Sequence, residues 1–200
     1  MTDFTKVKAN LEKRGYAVSC FATAAEAAGY LDGKLDGKLD GKTIGIGGSV
    51  TVREMGLLDR LKAHNTVVSH WEGSRKEDAA FTQVYLCSVN GLAETGEMVN
   101  IDGVGNRIAS TVFGHEELYL VVGRNKLAPD YDGAVWRARN VASPKNAIRL
   151  QRKTPCAVKG DKCYDCNSPE RLCRGMTVLW QASNGIGRTE VVLIDEDLGF

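Results

Sequence analysis

The chain has 200 residues, of which 43% are hydrophobic and 26% are charged, and its formal net charge is +1 at pH 7. These proportions are those of a globular protein and exclude a disordered chain. A net charge near zero provides no electrostatic footprint for nucleic acid or for an anionic membrane surface. No apolar run approaches the roughly 20 residues that span a bilayer, and the N-terminal stretch lacks the apolar core of a signal peptide. We therefore expect a cytoplasmic protein with no membrane insertion and no nucleic-acid partner.

The N-terminal part, residues 1–41, predicts two helices, a strand and a repeat. Apolar residues at helical spacing predict a first helix over residues 3–14, which ends at Gly15. "YAVSCF" predicts a strand, and Thr23 with Glu26 forms a capping-box pattern that begins a second helix. "LDGKLDGKLDGK" then repeats one unit three times. Because each glycine costs about 1 kcal/mol in a helix interior, the repeat favours a solvated linker of turns.

The middle of the chain alternates β-branched strands with helices. "TIGIGG", "TVVSH", "QVYLCS" and "LYLVVG" predict strands. Ser49 is placed to cap a helix in "VTVREMGLLDRLKAHN", and further helices are expected near residues 104–112 and 130–142. This alternation predicts an α/β fold with a mostly parallel sheet flanked by helices.

After Pro144 the pattern changes. Residues 155–175 form a cysteine-rich, loop-like segment. "MTVLWQASNGIGRTEVVLI" then predicts a hairpin that turns at Asn184-Gly185. We expect one α/β domain over residues 1–200, to which this segment and the hairpin are appended.

Four of the six cysteines have the spacing C-x6-C-x2-C-x6-C, namely Cys156, Cys163, Cys166 and Cys173. The central pair reaches one ion from a tight turn, and the outer two can complete a tetrahedron. In a reducing cytosol, clustered cysteines are more often metal ligands than disulfides. The spacing thus favours a metal over four free thiols, but it does not separate zinc from an iron–sulfur cluster. Cys20 and Cys87 lie in apolar strand contexts and are predicted to be core residues.

Polar loops follow three of the predicted strands. In open α/β sheets such loops border a crevice beyond the carboxyl ends of the strands, where ligands bind. The Gly-rich turn offers bare amides at a helix start, an arrangement that suits an anion but also occurs in a tight turn without a ligand. Asn, Asp and Gly are also ordinary turn formers. The candidate ligand-binding residues are Gly47, Gly48, Ser49, Asn90, Asp102, Asn106, Arg107, Asn125 and Lys126, and the candidate catalytic residue is Glu94.

The remaining polar residues give weaker signals. His64, His70 and His115 have no partner at metal-ligand spacing, which predicts surface or capping roles. Arg137 and Arg139, on the helix after the third polar loop, either project toward an acidic ligand or are solvated.

The ordered set of motifs resembles the lactate-utilisation (LUD) domain family. The likeness runs from about Lys42 to Phe200, outside the Leu-Asp-Gly-Lys repeat, through "GIGGSVTVREMGLLDRL", "SVNGLAETGEMVNIDGVGNR", "VVGRNKLAPD", "RARNVASPKNAIRL", "TPCAVKGDKCYDCNSPERLC" and "VVLIDEDLGF". The resemblance implies a fold related to the sugar-isomerase and CoA-transferase superfamily. It also implies a role in bacterial lactate oxidation to pyruvate, beside iron–sulfur partners. By analogy, the turn Gly47–Ser49 and Glu94 match the ligand-site positions of that superfamily.

Three functions follow as alternatives. The first is a subunit or accessory of a 2-hydroxy-acid oxidising system, which binds an anionic ligand and carries a cluster or contacts an iron–sulfur protein. The second is a CoA-transferase-like or other ligand-binding protein, in which Glu94 attacks an acyl thioester and any metal is structural. The third is a non-catalytic interaction domain. Whether the chain is catalytic alone and whether it forms a homo-oligomer stay open.

Overall fold

The computed structural model describes residues 2–35 and 41–200. These residues contain ten strands and eight α-helices. The strands are β1 (Ala17–Phe21), β2 (Thr43–Ile46), β3 (Thr66–Ser69), β4 (Val84–Cys87), β5 (Gly91–Ala93), β6 (Met98–Asp102), β7 (Glu117–Gly123), β8 (Leu127–Ala128), β9 (Gly175–Leu179) and β10 (Arg188–Ile194). The helices are α1 (Thr5–Lys13), α2 (Ala24–Lys34), α3 (Val50–Glu54), α4 (Leu57–Lys62), α5 (Asn106–Ser110), α6 (Tyr131–Arg137), α7 (Ser143–Arg149) and α8 (Pro155–Lys159).

The strands form two sheets. The larger has six strands in the order β1-β10-β7-β4-β2-β3, and every neighbouring pair in it is parallel. The smaller has the order β8-β5-β6-β9 and mixes parallel with antiparallel pairs. The predicted α/β fold with a mostly parallel sheet is therefore confirmed. All the carboxyl ends of the six parallel strands lie at one edge, which is where a ligand crevice is expected.

Apolar side chains cover both faces of the larger sheet. One cluster joins Ile44, Leu86 and Val192 to helices α2, α3 and α4. A second cluster joins Leu118 and Leu120, on the opposite face, to helix α1 and to the smaller sheet. Because strands β4, β7 and β10 are buried on both faces, they read as continuous apolar runs, as central parallel strands do.

The first unit of the Leu-Asp-Gly-Lys repeat lies in helix α2, so the linker prediction is wrong for that unit. Leu31 and Leu35 are fully buried in the cluster that covers the sheet. Burying a leucine side chain contributes about 2 kcal/mol, which outweighs the cost of about 1 kcal/mol for a helical glycine such as Gly33. Residues 36–40, which carry most of the rest of the repeat, lie outside the described residues.

The predicted C-terminal hairpin is also wrong. Strand β9 pairs antiparallel with β6 in the smaller sheet, where Leu179 lies opposite Met98. Strand β10 instead lies between β1 and β7 in the larger sheet, and Val191 pairs with Leu120. The apolar run of β10 needs a neighbour on each side and cover on each face, which a hairpin with β9 does not provide.

Of the local predictions, some are confirmed and others are wrong. The capping box of Thr23 and Glu26 is present at the start of α2, and Ser49 caps α3 by accepting from the amide of Val52 at 3.3 Å. The helix predicted after Ser49 divides in two, because Gly56 adopts φ of 63° between α3 and α4. Cys20 is exposed rather than in the core, since it faces outward on the edge strand β1, whereas Cys87 is buried as predicted.

No helix within residues 2–35 and 41–200 combines the length and the apolar composition that crossing a membrane requires.

Candidate functional site

A cleft of about 460 Å³ lies at the carboxyl ends of the parallel strands. The segments that follow β2, β3, β4, β6 and β7 all contribute to its walls, as does helix α7 on the far side. Seven of the nine predicted ligand-binding residues line it. They are Gly48, Ser49, Asn90, Asp102, Asn106, Arg107 and Lys126.

Lys126 is the most unusual group in this cleft. It ends the short helical turn Arg124–Lys126 that follows β7, and only 3% of its surface is exposed. Its Nζ donates to Ser88 Oγ at 2.7 Å and to Thr51 Oγ1 at 2.9 Å. Neither acceptor is charged. Burial, reinforced by the nearby Arg137 and Arg107, lowers the pKa of Lys126 to about 7. An ammonium group that is buried without a carboxylate costs free energy, which favours either loss of its proton or an anionic ligand beside it.

Arg137 of helix α6 lies beneath the cleft and fixes the loops that form it. Its side chain is buried and donates from Nε to the carbonyl of Asn125 at 2.7 Å and from Nη1 to the carbonyl of Asn90. A third, longer hydrogen bond of 3.3 Å reaches the carbonyl of Phe200. Burial lowers the pKa of Arg137 to about 10. The residue thus ties two strand-end loops and the C-terminal tail together.

Arg107 and Asp102 form a second structured wall. Arg107 Nη2 donates to the carbonyl of Ile101 at 2.5 Å and to Asn90 Oδ1 at 3.2 Å. The carboxylate of Asp102 accepts from the backbone amides of Gly103 at 2.7 Å and of Arg107 at 3.0 Å. Although burial opposes ionisation, Arg107 and these amides hold the pKa of Asp102 below its ordinary value. Asp102 therefore serves mainly to order the loop.

The cleft is electropositive although the chain is nearly neutral. Within the part of the chain that the structure describes, five basic side chains and one acidic side chain, that of Asp102, line it. The cationic residues are Lys76, Arg107, Lys126, Arg149 and Arg152. Cationic clefts of this kind raise the local concentration of anions.

Several lining residues were not predicted as site residues. His70 lies in the cleft against Gly48, where burial, aided by Lys76 and Arg149, lowers its pKa. Its position after β3 was the available signal, since it follows a strand end as Ser88 does. Arg149 and Arg152 come from helix α7 and the segment after it, which only the tertiary fold brings to the cleft.

Three predicted site residues lie elsewhere. The Glu94 side chain, which is 42% exposed, pairs with Lys6 Nζ at 2.8 Å and does not line the cleft. Asn125 holds the C-terminal tail, because its Oδ1 accepts from the amide of Leu198 at 3.1 Å and its Nδ2 donates to the carbonyl of Gly199 at 3.2 Å. Gly47 lies under the cleft, where a side chain would collide with Tyr85. Only glycine permits that approach of strand and ring.

The four clustered cysteines border one small cavity of about 20 Å³. The loop around them is organised by Asp165, whose carboxylate pairs with Arg171 at 3.0 Å and with Arg139 at 3.3 Å. Cys163 Sγ accepts from the amide of Asp165 at 3.3 Å, and Arg139 Nη2 lies 3.9 Å from the same sulfur. Arg139 therefore contacts the cysteine loop from the neighbouring helical segment Ala138–Ala142.

The cysteine cavity and the cleft share a wall. Ser143, Leu172 and Cys173 line both. Across residues 2–35 and 41–200, however, no group of three or more His, Cys, Asp or Glu side chains is arranged to hold a metal ion. The sulfurs thus converge on one space next to the cleft, but they do not form a coordination sphere in this arrangement.

Comparisons with known proteins agree with this architecture. A family model described as the LUD domain matches residues 4–194, so the match includes the N-terminal helices as well as the region after Lys42. The crystal structure of a DUF162 family protein from Deinococcus radiodurans superposes with a TM-score of 0.56 at 14% sequence identity, covering 97% of this chain and 99% of that one. At this identity the likeness concerns the fold. No curated protein is significantly similar in sequence.

Proposed function

The chain belongs to the LUD-domain family, which is associated with lactate utilisation, and from this premise we propose that it binds a small carboxylate- or phosphate-bearing anion in the cationic cleft. The ligand class that fits the family is a 2-hydroxy acid or its oxidised product. In this proposal the chain acts as a subunit or accessory of 2-hydroxy-acid oxidation, and an iron–sulfur protein is the partner class that the resemblance implies.

The observation that carries the proposal is the environment of Lys126. Its Nζ has two neutral hydroxyl partners, Thr51 and Ser88, and no carboxylate partner among the described residues. An apolar side chain would fill the same space at a lower free-energy cost than an ammonium group that has no carboxylate partner, so packing alone does not explain a lysine at this position. Lys126 lines an open cleft. An anionic ligand bound there would therefore provide the negative charge that the protein itself does not place beside the amine.

The second part of the proposal is a metal centre in the cysteine cavity, either zinc or an iron–sulfur cluster. The donor set fits, since four sulfurs border one space. Two guanidinium groups, those of Arg139 and Arg171, also lie beside it and would offset thiolate charge. A cavity of about 20 Å³ holds about one water-sized atom, so a single ion needs less rearrangement than a cluster. When bound, zinc would staple the loop, whereas a cluster would carry electrons beside the cleft.

The CoA-transferase-like alternative depends on Glu94 as a nucleophile. The ion pair of Glu94 with Lys6 and its position away from the cleft give no support to attack on a ligand bound there. We therefore base the proposed function on the cleft and on the cysteine cavity.

Isothermal titration calorimetry with lactate, pyruvate and inorganic phosphate tests the anion site. We expect at least one of these anions to bind, and the variant Lys126→Met to bind it about tenfold or more weakly, which corresponds to the loss of a buried charge-assisted contact. Lys145→Met is the matched control, because Lys145 is exposed on α7 and does not line the cleft. Equal affinities in both variants, or no binding of any anion, would refute the proposal.

A further inference from the structure

We propose that Lys126 forms a covalent imine with the carbonyl carbon of a 2-oxo acid that is bound in the cleft. This inference rests on the proposed function, because a 2-oxo acid is the oxidised counterpart of a 2-hydroxy acid. It adds a reactive atom, Lys126 Nζ, and it narrows the ligand to compounds with a ketone next to the carboxylate.

The hydrogen bonds around Lys126 leave one position on its nitrogen for a ligand. The hydroxyl of Thr51 donates to the carbonyl of Leu198 at 3.3 Å, so toward Lys126 it acts as the acceptor. Ser88 Oγ accepts a second N–H. A neutral amine has two N–H groups and one lone pair. With both N–H groups engaged, the lone pair remains, since Thr51 and Ser88 are the hydrogen-bond partners that Nζ has among the described residues, and Lys126 lines the cleft.

The charges around the amine favour its neutral form near neutral pH. Burial, Arg137 and Arg107 lower the pKa of Lys126 to about 7, while Cys87 and Glu54 act in the opposite direction. Glu54 is itself engaged, because its Oε2 accepts from the amide of Gly199 at 2.7 Å. A substantial fraction of the amine is therefore neutral near pH 7, whereas an ordinary exposed lysine is almost entirely charged.

The same cleft provides a place for the carboxylate of the 2-oxo acid. Arg107 is half-buried there, and in the described residues only its Nη2 donates to protein acceptors. Arg149 and Arg152 line the opposite wall on the α7 side. A guanidinium that holds the carboxylate would keep the adjacent ketone in the same cleft as Lys126, and such positioning favours nucleophilic attack.

The step needs no oxidant or reductant. The lone pair of Lys126 attacks C2 of the 2-oxo acid, the carbon–oxygen π electrons move to the oxygen, and a proton passes from nitrogen to that oxygen. Loss of the hydroxyl as water, with a second proton from nitrogen, forms the carbon–nitrogen double bond. One water is released for each imine formed.

Reductive trapping tests the inference on the wild-type protein. Pyruvate and sodium cyanoborohydride are added at pH 7, and intact mass and peptide mapping locate the reduced adduct. We expect one adduct, on Lys126, at about tenfold or more the level found on the exposed Lys145, because the neutral amine is far more abundant at Lys126. Lys126→Arg should lose the adduct while its circular dichroism spectrum stays that of the wild type. If this variant does not fold, the position of the adduct in the peptide map of the wild-type protein tests the inference on its own.

Calorimetry with lactate, which has no ketone, separates this inference from the proposed function. Binding of lactate and pyruvate without an adduct on Lys126 overturns the imine and leaves the anion site standing. Adducts spread evenly over exposed lysines also overturn it. If neither anion binds and no adduct forms, both proposals fail together.

Discussion

The Nζ atom of Lys126 lies 2.9 Å from Oγ1 of Thr51, so the end of strand β7 is joined to the first turn of helix α3. The two residues are 75 positions apart in sequence, and the strands that precede them, β7 and β2, are separated in the sheet by β4. Ser88, which follows β4, is the third member of the contact. A single amine thus connects three neighbouring strand ends, and we therefore expect its charge to affect both folding and binding.

Lys126 should make the stability of the ligand-free protein depend on pH. Its pKa is about 7 when folded, against an ordinary 10.5, so the unfolded chain binds more protons between these values. Stability should therefore rise with pH from about 7 to about 10, by up to about 1 kcal/mol per pH unit. Below pH 7 both states hold the proton, and the full destabilising effect is present. Urea unfolding at several pH values measures this slope.

The variant Lys126→Met isolates that contribution. Its free energy of unfolding should lose the positive slope above pH 7, whereas Lys145→Met should keep it. Identical slopes in Lys126→Met and the wild type would mean that the amine titrates as it does in the unfolded chain.

Arg137→Met should destabilise the protein by about 2 to 4 kcal/mol. The change leaves the carbonyls of Asn90 and Asn125 without their donor in a buried setting, and each such group costs about 1 to 3 kcal/mol. Arg75→Met is the control, since Arg75 is exposed and pairs with Asp78 three residues away, so its effect should stay within about 0.5 kcal/mol. Chemical denaturation compares the two, and a loss no larger in Arg137→Met than in the control would contradict the anchoring role.

Leu35→Ala should cost about 3 kcal/mol, as expected for a leucine removed from a core. Leu35 is fully buried against the sheet, which a residue in a solvated linker would not be. Phe81→Ala serves as the control because Phe81 is 88% exposed, and its effect should be below about 0.5 kcal/mol. Thermal unfolding of both variants decides the matter; a near-neutral Leu35→Ala would restore the linker interpretation.

The sequence predicted the parallel sheet because its strands have a local signature. Runs such as those of β4 and β7 are almost entirely apolar, and that pattern is typical of strands that are buried on both faces. No local sequence signature shows which sheet β9 and β10 each join. Both follow the periodicity of strands, and Asn184-Gly185 between them is a favourable turn, but which sheet each strand joins depends on neighbours far along the chain. The linker prediction for the Leu-Asp-Gly-Lys repeat was wrong for the same reason, since Leu31 becomes a core residue only when the sheet lies beneath it.

The candidate site, like the fold, could be predicted from the sequence only in part. Lys126, Asp102 and Arg107 follow strands, so the rule that ligands bind beyond strand ends was sufficient to find them. Arg152 lies beyond helix α7 and faces the cleft only because that helix folds across the sheet edge. Arg137 and Arg139 lie two residues apart, and the sequence does not show that Arg137 is buried whereas Arg139 is exposed.

The cysteine loop allows the most direct chemical test. Protein purified without oxygen should contain either zinc at one equivalent or iron with sulfide, measured by elemental analysis and visible absorbance. Cys163→Ser and Cys166→Ser should each lose that metal and lower the melting temperature by about 5 °C or more, because a metal bound only by the folded state stabilises it. Acid should also release the metal, since the ligating sulfurs must be deprotonated.

Cys20→Ser is the matched control for these variants. Cys20 is exposed on strand β1 and does not border the cysteine cavity, so its replacement should change neither metal content nor melting temperature. Because Cys173 and Leu172 form the wall shared with the cleft, loss of the metal should also weaken anion binding, whereas a metal confined to a structural staple away from the cleft would leave it unchanged. Unchanged metal content and melting temperature in Cys163→Ser and Cys166→Ser would show that the four sulfurs hold no common centre.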